Sequence, residues 1–398
     1  MSTHNITKLF LFCRVKICNL SISDDSTFTY LTLKPDKRFL PICSCCHRKV
    51  RSIHSYHRRI IHDMPLAQSN TYLLLHYRKV RCPECGIRVE YHDFVSPYAR
   101  YTHRLANFIF TLCEHMSVQD VSQHFNLSWA QVKTIDKTEL KKRYHKLDLT
   151  GLRIICVDEI SIRKRHSYLT IIANFLTGQV IGVAKDRKCK SLARFLLSLP
   201  SKVRHAIEAV AMDMWDPYIK AVTTYCPQAA IVFDLFHMTA AFSKIIDKVR
   251  VEQYRNATLS MKNLMKRSRF LLLKNPNNLS VEERPRLKEI LKHNESLSAV
   301  YILKDYLKRL WQYRYRACAE KFLYYWCQLA LDTGLKPVMK FVGTLLKYKY
   351  GILNHCRYKI HTGKLEGINN KIKVIKRRAY GYQDIDYFSL KIIHATCN

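Results

Sequence analysis

The stretch Leu152-Arg153-Ile154-Ile155-Cys156-Val157-Asp158-Glu159 decides how this chain folds. A short apolar run bounded by charge suits a buried strand, and this one delivers Asp158 at its end. Downstream, Ser167–Ala173 and Gln179–Ala184 flank Thr177-Gly178 and read as a hairpin. Ser191–Leu197 reads as a helix stopped by Pro200. Ala206–Met212 is a fourth strand that ends at Asp213, Pro217–Val222 starts another helix, and Ala229–Phe233 is a fifth strand that ends at Asp234. Three strands, helix, strand, helix, strand predicts an α/β fold built on a ribonuclease-H-like sheet. In that topology the first and fourth strands lie parallel and adjacent, so Asp158 and Asp213 become neighbours.

A third acid stands far away, in Lys364-Leu365-Glu366-Gly367-Ile368-Asn369-Asn370, where a basic helix is expected to begin. One Asp at a strand end is more often a turn or helix cap than a ligand. Three carboxylates in this order are what a site needs to hold two divalent ions against a phosphodiester. Hard oxygen donors suit Mg²⁺ or Mn²⁺. Lys371, Lys373, Lys376, Arg377 and Arg378 follow Glu366 with no acid among them. They are expected to line a phosphate track and make binding salt-dependent; the alternative is a solvated surface run.

Composition agrees. Among 398 residues, 67 basic and 31 acidic side chains leave a net charge of +36, which points to polyanionic partners rather than to any fold. The abundance of Tyr and Phe argues against a short histone-like binder that acts by charge alone. No apolar run approaches the ~20 residues of a spanning helix. Leu9–Cys13 is apolar, but Arg14 and Lys16 break it and no small-residue cleavage site follows, so a secretory signal is not expected.

The 15 cysteines are an odd count, most of them scattered singly through apolar stretches, which suits reduced thiols in the cytoplasm. Two pairs stand apart, Cys43 with Cys46 and Cys82-Pro83-Glu84-Cys85-Gly86. Two residues between cysteines let both thiolates reach one tetrahedral ion, so a four-sulfur structural zinc site is expected, with Cys45 and His47 as competing ligands. The gap between the pairs requires an inserted hairpin, with Tyr72–Arg78 as its return strand. Buried free thiols are the plainer reading.

Ser117 is placed to cap a helix with Val118, Val121 and Phe125 on one face, and Ser128 to cap a second that opens Trp129-Ala130-Gln131-Val132-Lys133. Helix, short turn and helix is the layout of a helix-turn-helix, with Trp129, Gln131 and Lys133 near the groove-facing end. An ordinary helical hairpin has the same pattern. Between Asp234 and Glu366 the chain reads as helical, too long for a loop. Its aromatics, Trp311, Tyr313, Tyr315, Tyr324, Tyr325 and Trp326, suit either a core or the stacking of extruded bases.

These motifs together resemble the ISL-three family of bacterial insertion-sequence transposases. The resemblance rests on Val157–Lys164, Met212-Asp213-Met214 with Pro217–Ala221, Asp234-Leu235-Phe236-His237, and Glu366–Lys373 with Arg378–Tyr382. The cysteine pairs and the helical pair resemble that family's N-terminal modules. It implies a DDE transposase that cleaves element ends and joins the freed 3′-hydroxyl to target DNA. Its triad would be Asp158, Asp213 and Glu366, with Mg²⁺ or Mn²⁺ there and structural zinc on Cys43, Cys46, Cys82 and Cys85. Asp234 and His237 fall on a D-x2-H signature and would act beside the ligands, Asp234 being the alternative second ligand. Arg165-His166, Asn174 and His361–Gly363 depart from the family pattern.

The implied partners are double-stranded DNA, both ends and target, and further copies of the chain on paired ends, in a cytoplasmic, nucleoid-associated protein. The expected layout is an N-terminal segment (1–40), a zinc module (41–96), a helix-turn-helix module (97–147), the first part of the catalytic core (148–240), a helical insertion (241–355) and the final core helix (356–398). A catalytically inactive zinc and helix-turn-helix regulator is the alternative function.

Overall fold

The computed structural model describes residue 10 and residues 12–163, 167–360 and 363–397. Arg165-His166 and His361-Thr362 lie outside the described residues. The chain divides into two units, one of Met1–His145 with Lys376–Tyr382, the other of Lys146–Ile375 with Gln383–Asn398.

In the first unit, β1 (Val15–Ile22), β2 (Phe28–Pro35), β3 (Ile53–Leu66), β4 (Ser69–Cys82) and β5 (Gly86–Val89) form one sheet, ordered β1-β2-β4-β3 with β5 also on β4. Alternate residues of β2 (Thr29, Leu31, Leu33) and of the first half of β4 (Ser69, Thr71, Leu73, Leu75) are buried, as the two-residue side-chain period requires. The expected return strand Tyr72–Arg78 is the middle of β4, antiparallel to β3. Two helix-capping boxes then set the next fold. Ser117 and Asp120 close one over α2 (Val118–His124), and Ser128 and Gln131 close one over α3 (Trp129–Arg143), both following α1 (His103–His115). Leu105, Ile109, Val121, Phe125, Val132 and Ile135 make their common core.

The second unit holds β6 (Ile154–Arg163), β7 (Ser167–Asn174), β8 (Val180–Lys185), α4 (Cys189–Ser198), α5 (Ser201–His205), β9 (Ala209–Met212), α6 (Asp216–Tyr225) and β10 (Ala230–Phe233). The sheet order is β10-β9-β6-β7-β8. β9 runs parallel to β6 and to β10, whereas β7 is antiparallel to β6 and β8. Gly178, at φ +79°, supplies the left-handed turn before β8.

The apolar run predicts a first strand that ends at Asp158; β6 instead continues to Arg163, because its pairing with β7 goes on. The parallel ladder to β9 stops at Cys156–Ala211, but β7 goes on pairing, with Asp158 opposite Ile171. Asp158 therefore sits where β6 has lost one neighbour and kept the other.

The helices that follow are α7 (Leu235–Asn256), α8 (Leu259–Met265), α9 (Arg269–Leu273), α10 (Glu283–Lys292), α11 (Glu295–Arg309), α12 (Arg316–Asp332), α13 (Lys336–Lys347) and α14 (Lys349–Leu353). Their apolar faces, including Phe242, Trp326 and Phe341, are continuous with the core under the sheet. The aromatic stripe divides: Trp326 is fully buried and donates to the Leu303 carbonyl at 3.0 Å, while Tyr315, Tyr324 and Tyr325 are exposed. The last helices are α15 (Gly363–Arg378) and α16 (Ile385–Thr396). Among the described residues no helix is long and apolar enough to cross a membrane.

Candidate functional site

Backbone register assembles the acids before any side chain is considered. Cys156 pairs with Ala211 across β6 and β9, and Phe233 pairs with Met212 across β10 and β9. Two residues beyond the first pair lie Asp158 and Asp213, and one beyond the second lie Asp234 and Asp213. Three parallel strands thus deliver three aspartates to one edge, the C-terminal edge where open α/β sheets place ligands.

The side chains converge. Asp158, Asp213 and His237 each offer a ligand atom, and these lie within 4.8 Å of one another. His237, in the first turn of α7, stands 2.7 Å from Asp213 Oδ1 and 4.0 Å from Asp234 Oδ2. Burial opposes charge on this imidazole, but the hydrogen bond to Asp213 and the fields of Asp213, Asp234 and Asp158 outweigh it, so His237 titrates above its ordinary value. Asp234 is buried and accepts the Phe236 N–H at 3.0 Å, capping α7. Cys156, beneath the cluster, has its thiol raised to about 12 by burial and by Asp234 and Asp158. Two carboxylates and an imidazole at one edge fit Mn²⁺ readily and supply two of the hard oxygens that Mg²⁺ prefers.

Glu366 lies in the first turn of α15, exposed, outside the group formed by Asp158, Asp213 and His237. One turn further on, Asn369 donates its side-chain amide to Asp158 Oδ2 at 2.5 Å. Residues three apart share a helix face, so Glu366 stands on the same side of α15 as the contact to Asp158. The motif around Glu366 assigns Asn369 no role; its three-residue spacing from Glu366 is the sequence signal that finds it. Lys371 and Lys373 continue α15 with exposed side chains, Arg377 and Arg378 are exposed near its end, and Lys376 is half-buried.

In the first unit, Cys43, Cys46, Cys82 and Cys85 bring four Sγ atoms within 4.8 Å of one another, with Cys46 and Cys82 at 3.6 Å. The backbone N–H of Cys85 turns onto the Cys82 sulfur, and this hydrogen bond leads the lowering of that thiol to about 7. Gly86, at φ +73°, makes the turn that aims it. Four convergent thiols, one biased toward thiolate, fit a tetrahedral zinc ion and leave no open position. Cys45 is exposed and uses its N–H on Cys43 Sγ, and His47 packs edge-on against Tyr91.

Trp129 and Gln131 are exposed at the start of α3, and the Lys133 ammonium stands 5.4 Å from the Trp129 ring. Gln131 commits its carboxamide oxygen to the Ser128 cap, which leaves the amide as its outward donor.

Residues 155–392 match a family described as transposase, under the heading DDE ISL3. Residues 90–139 match the helix-turn-helix domain of transposase family ISL3, and residues 40–85 match the zinc-finger of transposase IS204/IS1001/IS1096/IS1165. The chain is 36% identical over 364 residues to the transposase for insertion sequence element IS1001 of Bordetella parapertussis, covering 90% of this chain and 89% of that protein. It is 22% identical over 329 residues to the transposase for insertion sequence element IS1557 of Mycobacterium tuberculosis, covering 77% and 74%.

Proposed function

Because the chain belongs to the ISL3 family of transposases, we propose that it binds the ends of its own insertion sequence, cuts them and joins the freed 3′-hydroxyl to target DNA. The observation that carries this reading is the convergence of Asp158, Asp213 and His237 at the C-terminal edge of three parallel strands. The strand order supports a ribonuclease-H-like core, and the helices from α7 to α14 a helical insertion within it.

Asp158, Asp213 and Glu366 are the proposed catalytic ligands. Divalent ions held there, Mg²⁺ or Mn²⁺, would activate the attacking oxygen and stabilise the leaving one. The chain's own residues do the positioning. Asn369 fixes one oxygen of Asp158 and the Glu159 N–H, at 2.7 Å, holds the other. His237 orients Asp213. Lys371 and Lys373 extend positive charge along the helix that carries Glu366, where a DNA backbone would run. Zinc on the four cysteines would hold the N-terminal module in shape, and α3 would read the element ends through Trp129, Gln131 and Lys133. Copies of the chain would act together on paired ends.

Incubating the chain with labelled duplexes that carry the DNA flanking its reading frame tests this. Mg²⁺- or Mn²⁺-dependent strand cutting and joining is expected, lost in Asp158→Asn while end binding persists. Protection of one operator with no cutting under any divalent ion would instead favour the inactive regulator.

A further inference from the structure

Beside the acid cluster, on the α4 and α6 side of the sheet, lies a cleft of about 620 Å³ that the proposed chemistry does not use. Its volume falls in the range of pockets that take small organic groups and is far too small for a duplex. Tyr168 on β7 and Trp215, just before α6, form its aromatic walls, and Arg187, Lys188 and Lys220 add positive charge.

The aromatic surface is rigid. The Trp215 indole N–H donates to the Arg187 carbonyl at 3.1 Å, which fixes the ring while leaving it 37% exposed. The Arg187 guanidinium lies over the Tyr168 ring at 4.7 Å and over the Trp215 ring at 4.8 Å, so one cation bridges the two aromatic walls. Arg187 also faces Glu159 at 3.6 Å, which ties this surface to the residue after Asp158.

The cleft's acids are already engaged. Asp186 accepts the Lys188 backbone N–H at 2.9 Å and the Ser191 hydroxyl at 2.7 Å, and the Lys188 ammonium faces it at 3.8 Å; Asp216 is held by Lys347 at 2.9 Å and by Tyr348 at 2.8 Å. Lys220 has no ion-pair partner among the described residues and is exposed at the rim. The backbone N–H of Trp215 donates to the Asp213 carbonyl at 2.7 Å, so an occupant of the cleft lies next to a proposed metal ligand.

We infer that this cleft is a subsite for one unpaired nucleotide of the DNA end, its base stacked against the aromatic walls of Trp215 and Tyr168 and its phosphate on Lys220. The inference rests on the transposase reading and extends it to the state of the DNA: the nucleotide beside the cut is taken out of the helix. Flat aromatic surfaces with cationic rims bind bases whatever their sequence, because every base has a π face, and they need the base unpaired.

The test uses the full chain and two DNA probes, a blunt hairpin duplex and the same duplex with a three-nucleotide single-stranded tail. A 5-iododeoxyuridine in the tail should photocrosslink to Trp215 or Tyr168, located by peptide mass spectrometry. Trp215→Ala should lower the preference for tailed over blunt DNA by about tenfold, the scale of one lost base stack, and Trp215→Phe should retain most of it. Lys220→Glu, at an exposed position, should lower it too and serves if Trp215→Ala does not fold.

Crosslinks confined to other parts of the chain, or an unchanged tail preference in Trp215→Ala and Lys220→Glu, overturn the subsite. The two readings fail separately. A wild-type chain that cuts no end DNA with any divalent ion overturns the transposase reading, even if the tail crosslinks to Trp215. A chain that cuts but shows no tail preference overturns the subsite alone.

Discussion

Asn369 reaches across 211 residues of sequence to donate a hydrogen bond to Asp158. The contact joins the last quarter of the chain to the strand that begins the second unit's sheet, and it orients one carboxylate of the cluster. Groups that hold a metal ligand in place commonly contribute 10–100-fold to metal affinity or activity. Asn369→Leu should therefore lower end cutting by roughly that factor, with a raised requirement for Mn²⁺ or Mg²⁺. Cutting that titrates with metal as in the wild type would remove Asn369 from the site.

Glu366 and His237 compete for the third place beside Asp158 and Asp213. If Glu366 is a ligand, Glu366→Gln should abolish cutting, by roughly a thousandfold or more as when one member of a catalytic unit is lost. His237→Ala should then cost only about 10–100-fold. The reverse ranking, measured as initial cutting rates at saturating Mn²⁺, would move the third ligand to His237.

The four-cysteine cluster predicts one zinc per chain. Cys82→Ser should lose that zinc and the compactness of the N-terminal module, seen as faster proteolysis there, whereas Cys45→Ser should retain both. Metal analysis of the purified variants decides it. Zinc retained in Cys82→Ser, or lost in Cys45→Ser, would mean that the ligand set is wrong.

His92 gives the first unit a pH-dependent weakness. It is buried, neither ring nitrogen has a hydrogen-bond partner among the described residues, and burial lowers its pKa from 6.5 to about 4. Glu90 and Asp93 pull the value up, and Arg59 and Arg78 push it down. Between those two pH values the unfolded chain binds a proton that the folded chain refuses. Stability therefore falls as pH is lowered through this window, by on the order of 3 kcal/mol in full. Urea unfolding at pH 7 and pH 5 should reveal the loss, and His92→Phe should reduce it under identical zinc loading. Equal pH slopes in the two proteins would rule His92 out as the source.

Phosphate contact by α15 has a quantitative signature. Each lysine that neutralises one phosphate of duplex DNA contributes about 0.9 to the slope of log affinity against log salt. Lys371→Ala and Lys373→Ala should each reduce that slope by about this amount. Unchanged slopes in binding isotherms across a salt series would return these side chains to ordinary solvated surface.

Much of this was legible in the sequence because it is local. Ser117 and Ser128 announce two helices by their capping chemistry, and both boxes close. The cysteine spacing announces a sulfur cluster, and four sulfurs meet. The apolar runs after residue 152 announce five strands, and their pairing brings Asp158 beside Asp213. What was hidden depends on pairing between distant segments. The strand through Asp158 runs on because β7 supplies a ladder after β9 has ended, and no pattern within β6 marks that difference. His237 reads as a companion of Asp234 at helical spacing, yet its shorter contact is with Asp213, just past the end of β9. The Tyr168–Arg187–Trp215 surface draws on three segments, none with a motif of its own.

The order in which the site is synthesised has a consequence for incomplete products. Asp158, Asp213 and His237 are all made by the first turn of α7, whereas Asn369 and Glu366 come only with α15. A polypeptide released by a stop codon in the long helical stretch would carry the zinc module, the capped helical pair and the clustered aspartates, and still lack both side chains from the final helices. On the proposed function such a fragment would occupy element ends without severing them, so a nonsense mutation there would leave behind an antagonist of the intact protein.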